Sequence, residues 1–188
     1  MTALPAQFRD VLATLLVVDI QDKLLPAVLD PQGLVERAGW LISAANDLGL
    51  PVVLSEQYPS GLGHTVEALR QLCPDAPTVE KKHFSCVAEH CLPDSLLARR
   101  QVILIGMEAH VCVLQTALEL KAAGKEVFVV TDCISSRAQS DLDTALLRYQ
   151  QAGVWLVSRE MVLFEMLRSS GHPQFRQISQ QYLVPKKG

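Results

Sequence analysis

Short apolar runs recur along the chain at wide, regular spacing: Leu15 to Val18, Val52 to Leu54, Val102 to Ile105, Val127 to Val130 and Val154 to Val157. Each run is continuous and does not alternate with polar residues, so each predicts a strand covered on both faces, as strands of a parallel sheet are. A weaker sixth strand is expected at Thr78-Val79. The segments between the runs carry a helical period. Val35, Ala38, Leu41/Ile42 and Ala45 share one face of a stretch closed by Gly49 and Pro51. Val111, Leu114, Ala117/Leu118 and Ala122 repeat that pattern up to Gly124, and a third helix is expected from Asp141 to Ala152. Strand and helix in alternation, punctuated by glycine, predict an α/β fold with helices on both faces of the sheet. The stretch from His172 to Tyr182 reads as a short amphipathic helix that packs on the body or on a neighbouring subunit. No internal repeat or linker interrupts the pattern, so residues 1–188 are read as a single domain.

Composition narrows the function. Of 188 residues, 49% are hydrophobic and 20% charged, and only 5% are aromatic, which fits a core of branched aliphatic side chains. The net charge of −3 and the lack of a basic stripe argue against nucleic acid as a partner. Solvated surface explains most of the basic pairs Lys81-Lys82, Arg99-Arg100 and Lys186-Lys187. No apolar run approaches the length of a membrane span, and Met1 to Val11 lack the basic start and apolar stretch of a signal peptide. Five cysteines with no CxxC pair imply neither a disulfide framework nor a zinc knuckle, so a reducing cytoplasm is the expected location.

Ligands of open parallel sheets bind beyond the carboxyl ends of the strands. That rule selects Asp19 after the first run, Glu56 and Gln57 after the second, Lys81 after the weak strand, Cys112 in the helix after Ile105-Gly106, and Asp132 after Val129-Val130. Cys112 is the most informative of them. In the first turn of a helix its thiolate is favoured by the helix end, and nearby N–H groups are free to hold an oxyanion. Cys73, Cys86, Cys91 and Cys133 read as small buried hydrophobes, and Asp132 as a capping side chain in a turn.

Three segments together resemble the isochorismatase-like hydrolases, which include nicotinamidase and other cysteine amidases. They are Leu16-Val17-Val18-Asp19-Ile20-Gln21, Lys81-Lys82-His83-Phe84-Ser85 and Gly106-Met107-Glu108-Ala109-His110-Val111-Cys112-Val113. The resemblance implies a three-layer, Rossmann-like α/β/α fold with a six-stranded, mostly parallel sheet in the order 3-2-1-4-5-6. It also implies a triad with Cys112 as nucleophile, Asp19 as general base and Lys81 as the charge partner. A cis peptide is implied between Met107 and Glu108, aiming the Glu108 N–H, with that of Cys112, at the oxyanion. Gln21, Gln57, Tyr58, Phe84 and His110 are the candidate pocket residues, with packing in the core as the other reading for Tyr58 and Phe84, and helix initiation for His110.

Where nicotinamidases carry metal ligands, this chain has Glu56 and Tyr58, leaving only His64 nearby, so no catalytic metal and no cofactor is expected. A small-molecule amide or related acyl compound is the expected substrate. The alternatives are vinyl-ether hydrolysis with Asp19 as the acid and a non-catalytic binding protein that keeps the fold. The resemblance further implies a homo-oligomer, a dimer or larger. Val162-Leu163-Phe164 and Phe175 are candidates for the contact or, equally, for filling the monomer's own core, and Arg137 for meeting a neighbour.

Overall fold

The computed structural model describes residues 12–184; the readings of Met1 to Val11 and of Lys186-Lys187 lie outside the described residues. Six strands form one sheet: β1 (Ala13–Val18), β2 (Val52–Gln57), β3 (Thr78–Lys81), β4 (Gln101–Met107), β5 (Glu126–Ser135) and β6 (Trp155–Val157). Their order is β3-β2-β1-β4-β5-β6, and every pairing is parallel, so the expectation of a mostly parallel sheet is sharpened to a wholly parallel one.

The main helices are α1 (Pro31–Asp47), α5 (Cys112–Ala122), α6 (Gln139–Gln151) and α7 (Arg159–Leu167). The short turns α2 (Pro59–Leu62), α3 (Glu67–Arg70) and α4 (Asp94–Leu97) sit in the connections, and α8 (Phe175–Ile178) follows α7. Alternate residues of a strand face opposite ways, and the core divides accordingly. Leu15, Val17, Ile103 and Ile105 join Leu34, Ala38, Leu41 and Val162 on one face. Leu16, Val18, Val102 and Leu104 join Val113, Ala117, Ala145 and Tyr149 on the other. Burial on both faces is why the strands are continuous apolar runs with no polar alternation.

Local signals set the helix ends. The Asp30 carboxylate accepts the Gly33 N–H at 3.1 Å with Pro31 in the first turn of α1, and the Ser158 hydroxyl accepts the Met161 N–H at 3.2 Å to start α7. The C-terminal stretch is not one helix: α8 is followed by a π-turn over Ser179–Leu183. It packs on the body, on α1. Trp40 Nε1 donates to the Tyr182 carbonyl at 3.3 Å, the two rings meet edge to face at 5.2 Å, and the Tyr182 hydroxyl donates to Asp47. Val162 and Leu163 are buried in the protein's own core, leaving Phe164 exposed from the run expected to face a neighbour.

Asp132 lies within β5, not in a turn beyond it. Its Oδ1 accepts the Arg159 N–H at 2.9 Å, so it caps a distant helix, α7, across the end of the sheet.

Candidate active site

The strand order places the carboxyl ends of β3, β2, β1 and β4 side by side, and each supplies a polar residue there. Asp19 directly follows β1 and is fully buried. Lys81 ends β3 and is 2% exposed, and Cys112, the first residue of α5, is 4% exposed. Residues separated by 62 and 31 positions along the chain thus converge: Lys81 Nζ donates to Asp19 Oδ2 at 2.6 Å, and the charges of both act on the buried Cys112 thiol.

The approach of β4 to β1 depends on one glycine. Val18 pairs with Gly106, whose φ is +142°, and a Cβ at that position would stand 2.1 Å from the Val18 carbonyl oxygen. Only glycine allows this contact, which sets Asp19 against the Met107 to Cys112 loop. Three non-glycine residues at strand ends share a left-handed backbone: Asp19 after β1 (φ +55°), Tyr58 after β2 (φ +40°) and Glu108 after β4 (φ +55°). Such conformations cost of order 1–3 kcal/mol each and concentrate at functional sites. The cis bond expected between Met107 and Glu108 is not present, since no cis peptide occurs among the described residues. The turn of the chain is achieved instead by the left-handed Glu108, whose carbonyl accepts the Val111 N–H at 2.8 Å.

Strand β2 holds the charged pair. Ser55 and Gln57 are two residues apart and so share a face. Ser55 Oγ donates to Asp19 Oδ1 at 2.8 Å, and Gln57 Oε1 accepts from Lys81 Nζ at 2.6 Å. Gln57 Nε2 in turn donates to the Lys82 carbonyl at 2.8 Å, which fixes the side chain that fixes the lysine. Gln57 therefore positions Lys81, where it had been expected to line the pocket. Gln21 has likewise no group to spare for a ligand. It is fully buried, its Nε2 donates to the carbonyls of Gln57 and Gly63, and its Oε1 accepts the Gln57 N–H at 2.7 Å.

Burial dominates the ionisation of the group. It pushes the Cys112 thiol up to about 12, with the Asp19 charge adding to the rise and Lys81 opposing it. The helix end does not prevail, so the resting sulfur is a thiol, contrary to the thiolate expected from position alone. Burial also raises the Asp19 carboxyl above its ordinary range, although Lys81, Ser55 and Cys112 all bond to its charged form. Lys81 is held above the ordinary lysine range: burial works against its charge, and the facing Asp19 and Cys112 outweigh it.

Tyr58 and Phe84 do not pack in the core. They are 51% and 53% exposed, and Tyr58 edges a cleft of about 410 Å³ with Pro59, Ser60, Glu80, Lys81, Lys82 and Glu89. His110 precedes α5 with Nδ1 3.0 Å from Ser136 Oγ and Nε2 3.7 Å from both Glu108 and Asp141. Arg137 Nε reaches Glu108 Oε1 at 3.1 Å, so it ties down the same loop within its own chain. Glu56 is 2% exposed on the other face of β2. Its oxygens accept from the Thr65 amide at 2.8 Å, the Thr65 hydroxyl at 2.9 Å and His64 Nδ1 at 2.8 Å.

Two contributors escape a reading of the sequence. Ser55 looks like a strand interior residue, and Cys86 like a core hydrophobe. Cys86 is buried, but against the charged pair: its thiol feels the charges of both Asp19 and Lys81. Its amide donates to Thr116 Oγ1 at 3.1 Å, and Ser85 Oγ donates to Glu119 at 2.7 Å, which docks the loop after Lys81 onto α5.

This arrangement has recognisable relatives. Residues 13–161 match the isochorismatase domain family. The chain belongs to the isochorismatase-like family. It is 38% identical over 170 residues to isochorismatase domain-containing protein 2 of Danio rerio, covering 88% of this chain and 84% of that one. Among solved structures, the MAR1 ribonuclease of Caenorhabditis elegans superposes with a TM-score of 0.89 at 35% identity, covering 97% of this chain and 95% of that one. YcaC from Pseudomonas aeruginosa, described with hexane-2,5-diol and covalent acrylamide, has a TM-score of 0.89 at 25% identity, with 97% and 94% covered. The YcaC gene product of Escherichia coli, described as an octameric hydrolase of unknown specificity, has a TM-score of 0.85 at 27% identity, with 96% and 98% covered. Among the described residues of this family member, no helix is long and apolar enough to cross a membrane.

Proposed function

We propose that the chain is a cysteine hydrolase of small amides or related acyl compounds, with Cys112 as nucleophile, Asp19 as general base and Lys81 as charge partner. The observation that carries this reading is the burial of all three together: a carboxylate that accepts from an ammonium at 2.6 Å, with both charges acting on a buried thiol. A carboxylate raised by burial is a stronger base than one in water, and the thiol's own high pKa means that a base is needed to activate it.

As Asp19 takes the thiol proton, the negative charge passes to sulfur, and Lys81 faces both atoms, so the pocket's net charge is unchanged. Sulfur then attacks the carbonyl carbon. The N–H groups of Glu108 and Cys112, at the strand end and in the first helical turn, are the proposed oxyanion donors. Asp19 returns the proton to the departing amine, leaving a thioester on Cys112. Water deprotonated by Asp19 hydrolyses it to the acid and the free thiol. This sequence needs no metal, and Glu56 and His64 are bonded to each other.

A homo-oligomer is part of this proposal, supported by the octameric description of the E. coli relative. A reducing, cytoplasmic location is supported by five free cysteines.

The test is ammonia release from a panel of small primary amides, with hydroxylamine added to capture the thioester as a hydroxamate. Turnover that Cys112→Ala abolishes, with hydroxamate formed only by the native chain, supports the reading. Turnover of a vinyl ether, or cleavage of RNA, that survives Cys112→Ala overturns it. So does a complete lack of hydrolysis by a folded chain that binds the same amides.

A further inference from the structure

Two of the thiols outside the triad are placed against each other. Cys86 is fully buried in the loop between β3 and α4, and Cys91, five residues on, is half-buried. The chain between them folds back on itself: the Glu89 N–H donates to the Ser85 carbonyl at 3.3 Å and the His90 N–H to the Val87 carbonyl at 3.0 Å, with His90 at φ +55°. As a result the Cys91 thiol donates to the Cys86 carbonyl oxygen at 3.5 Å, which brings the two cysteines close enough for the ionisation of each to depend on the other.

The two sulfurs are also unlike in charge preference. Cys91 is held below the ordinary thiol range, first by the hydrogen bond from Cys86 and further by the Lys81 charge, although burial opposes this. Cys86 is pushed well up by giving that hydrogen bond and by burial. A half-buried sulfur inclined to ionise therefore lies beside a fully buried one that keeps its proton. Cys112 is the opposite of Cys91, nearly inaccessible and protonated.

We propose that Cys86 and Cys91 form a dithiol site for small peroxides, with Cys91 as the attacking sulfur and Cys86 as the resolving one. The Cys91 thiolate forms a bond to one peroxide oxygen as the O–O bond breaks. The other oxygen leaves as hydroxide, which takes a proton from solvent, and Cys91 becomes a sulfenic acid. The Cys86 sulfur then attacks the Cys91 sulfur. The S–S bond forms, the S–O bond breaks, and the oxygen departs as water carrying the Cys86 proton. The two sulfurs lose two electrons in total, and one peroxide becomes two waters. The site does not rest on the amidase reading, because Cys112 takes no part in it.

The experiment is treatment of the full-length protein with one to a few equivalents of hydrogen peroxide, followed by intact-mass and peptide analysis. The expected result is a loss of about 2 Da, two hydrogens, mapped to a Cys86–Cys91 disulfide and reversed by dithiothreitol. It should persist in Cys112→Ala and vanish in Cys91→Ser. Cys86→Ser should stop at the sulfenic acid, captured by dimedone on Cys91, which keeps the test decisive if Cys91→Ser folds poorly. Dimedone on Cys112 ahead of Cys91, a disulfide that includes Cys112, or an unchanged mass in the native chain would overturn the proposal.

Discussion

Asp19 and Lys81 bond at 2.6 Å with side chains that are 1% and 0% exposed, so neither charge has water to fall back on. Removing one partner of such a pair costs about 3–5 kcal/mol, because the other is left buried and uncompensated. Lys81→Met should lose stability on that scale in urea unfolding, and the double variant with Asp19→Asn should recover much of it without recovering turnover. A loss below about 1 kcal/mol for Lys81→Met would mean that the pair is not held as described.

Asp19→Asn should move two readouts in opposite directions. The Asp19 charge is one cause of the high Cys112 pKa, so its removal lowers that pKa and raises the thiolate fraction at neutral pH. Iodoacetamide should then label Cys112 faster than in the native chain. Hydrolysis should fall by a factor of about 100 or more, because the base is gone. Parallel changes in both rates would contradict the assignment of Asp19.

Ser55 Oγ is the second donor to Asp19, and hydrogen bonds to charged groups contribute about 1.5–3 kcal/mol. Ser55→Ala should therefore reduce kcat by roughly tenfold to a hundredfold. Ser55→Thr, which keeps the hydroxyl, should stay close to native. Equal losses in the two variants would point to packing as the cause.

Gly106→Ala places a methyl group 2.1 Å from the Val18 carbonyl oxygen at a φ of +142°. Backbone has no rotamer with which to yield, so the loss should reach ~3 kcal/mol or more, or the chain should fail to fold. Circular dichroism during thermal unfolding reads this directly. Gly124→Ala, where nothing lies within 4 Å, isolates the backbone strain at φ +83° from the collision.

Glu56 gives a pH signature. Burial raises its pKa, but the bonds from Thr65 and His64 win and hold it below the ordinary 4.5. A carboxyl lowered by folding stabilises fully above its unfolded pKa and loses that contribution as pH falls through the folded one. Glu56→Gln keeps an acceptor for Thr65 and lacks this contribution. Its deficit against the native chain should be constant above about pH 5 and shrink below it, as measured by urea midpoints at several pH values.

The strands were legible because both faces of this sheet are covered, so that burial writes itself into the sequence as Leu15 to Val18 or Val102 to Ile105. Asp19, Lys81 and Cys112 were legible too, because a polar residue directly after such a run stands out. Their partners were not. Ser55 is a small polar residue inside a strand, and nothing local says that it faces Asp19 and not an ordinary neighbour. Gln21 and Gln57 look like pocket residues until both ends of each amide are seen to be occupied. Cys86 is as buried as a core residue would be, and only the fold of the loop after Lys81 turns its sulfur toward the charged pair. The protonation of Cys112 was equally hidden, since a helix start is visible in a sequence and the dryness of its surroundings is not.

The left-handed ends at Asp19, Tyr58 and Glu108 put the site in tension with the durability of the protein. Glycine at any of the three would relax the backbone; at Glu108 it would keep the N–H proposed to hold the oxyanion, whereas at Asp19 it would remove the proposed base. Relief of strain alone would not make the Asp19 change stabilising, because it would leave Lys81 buried and unpaired; the pair therefore holds the strained end of β1 in place. A carboxylate retained at Asp19 in spite of that strain is a mark by which a working member could be told from a relic of the same fold.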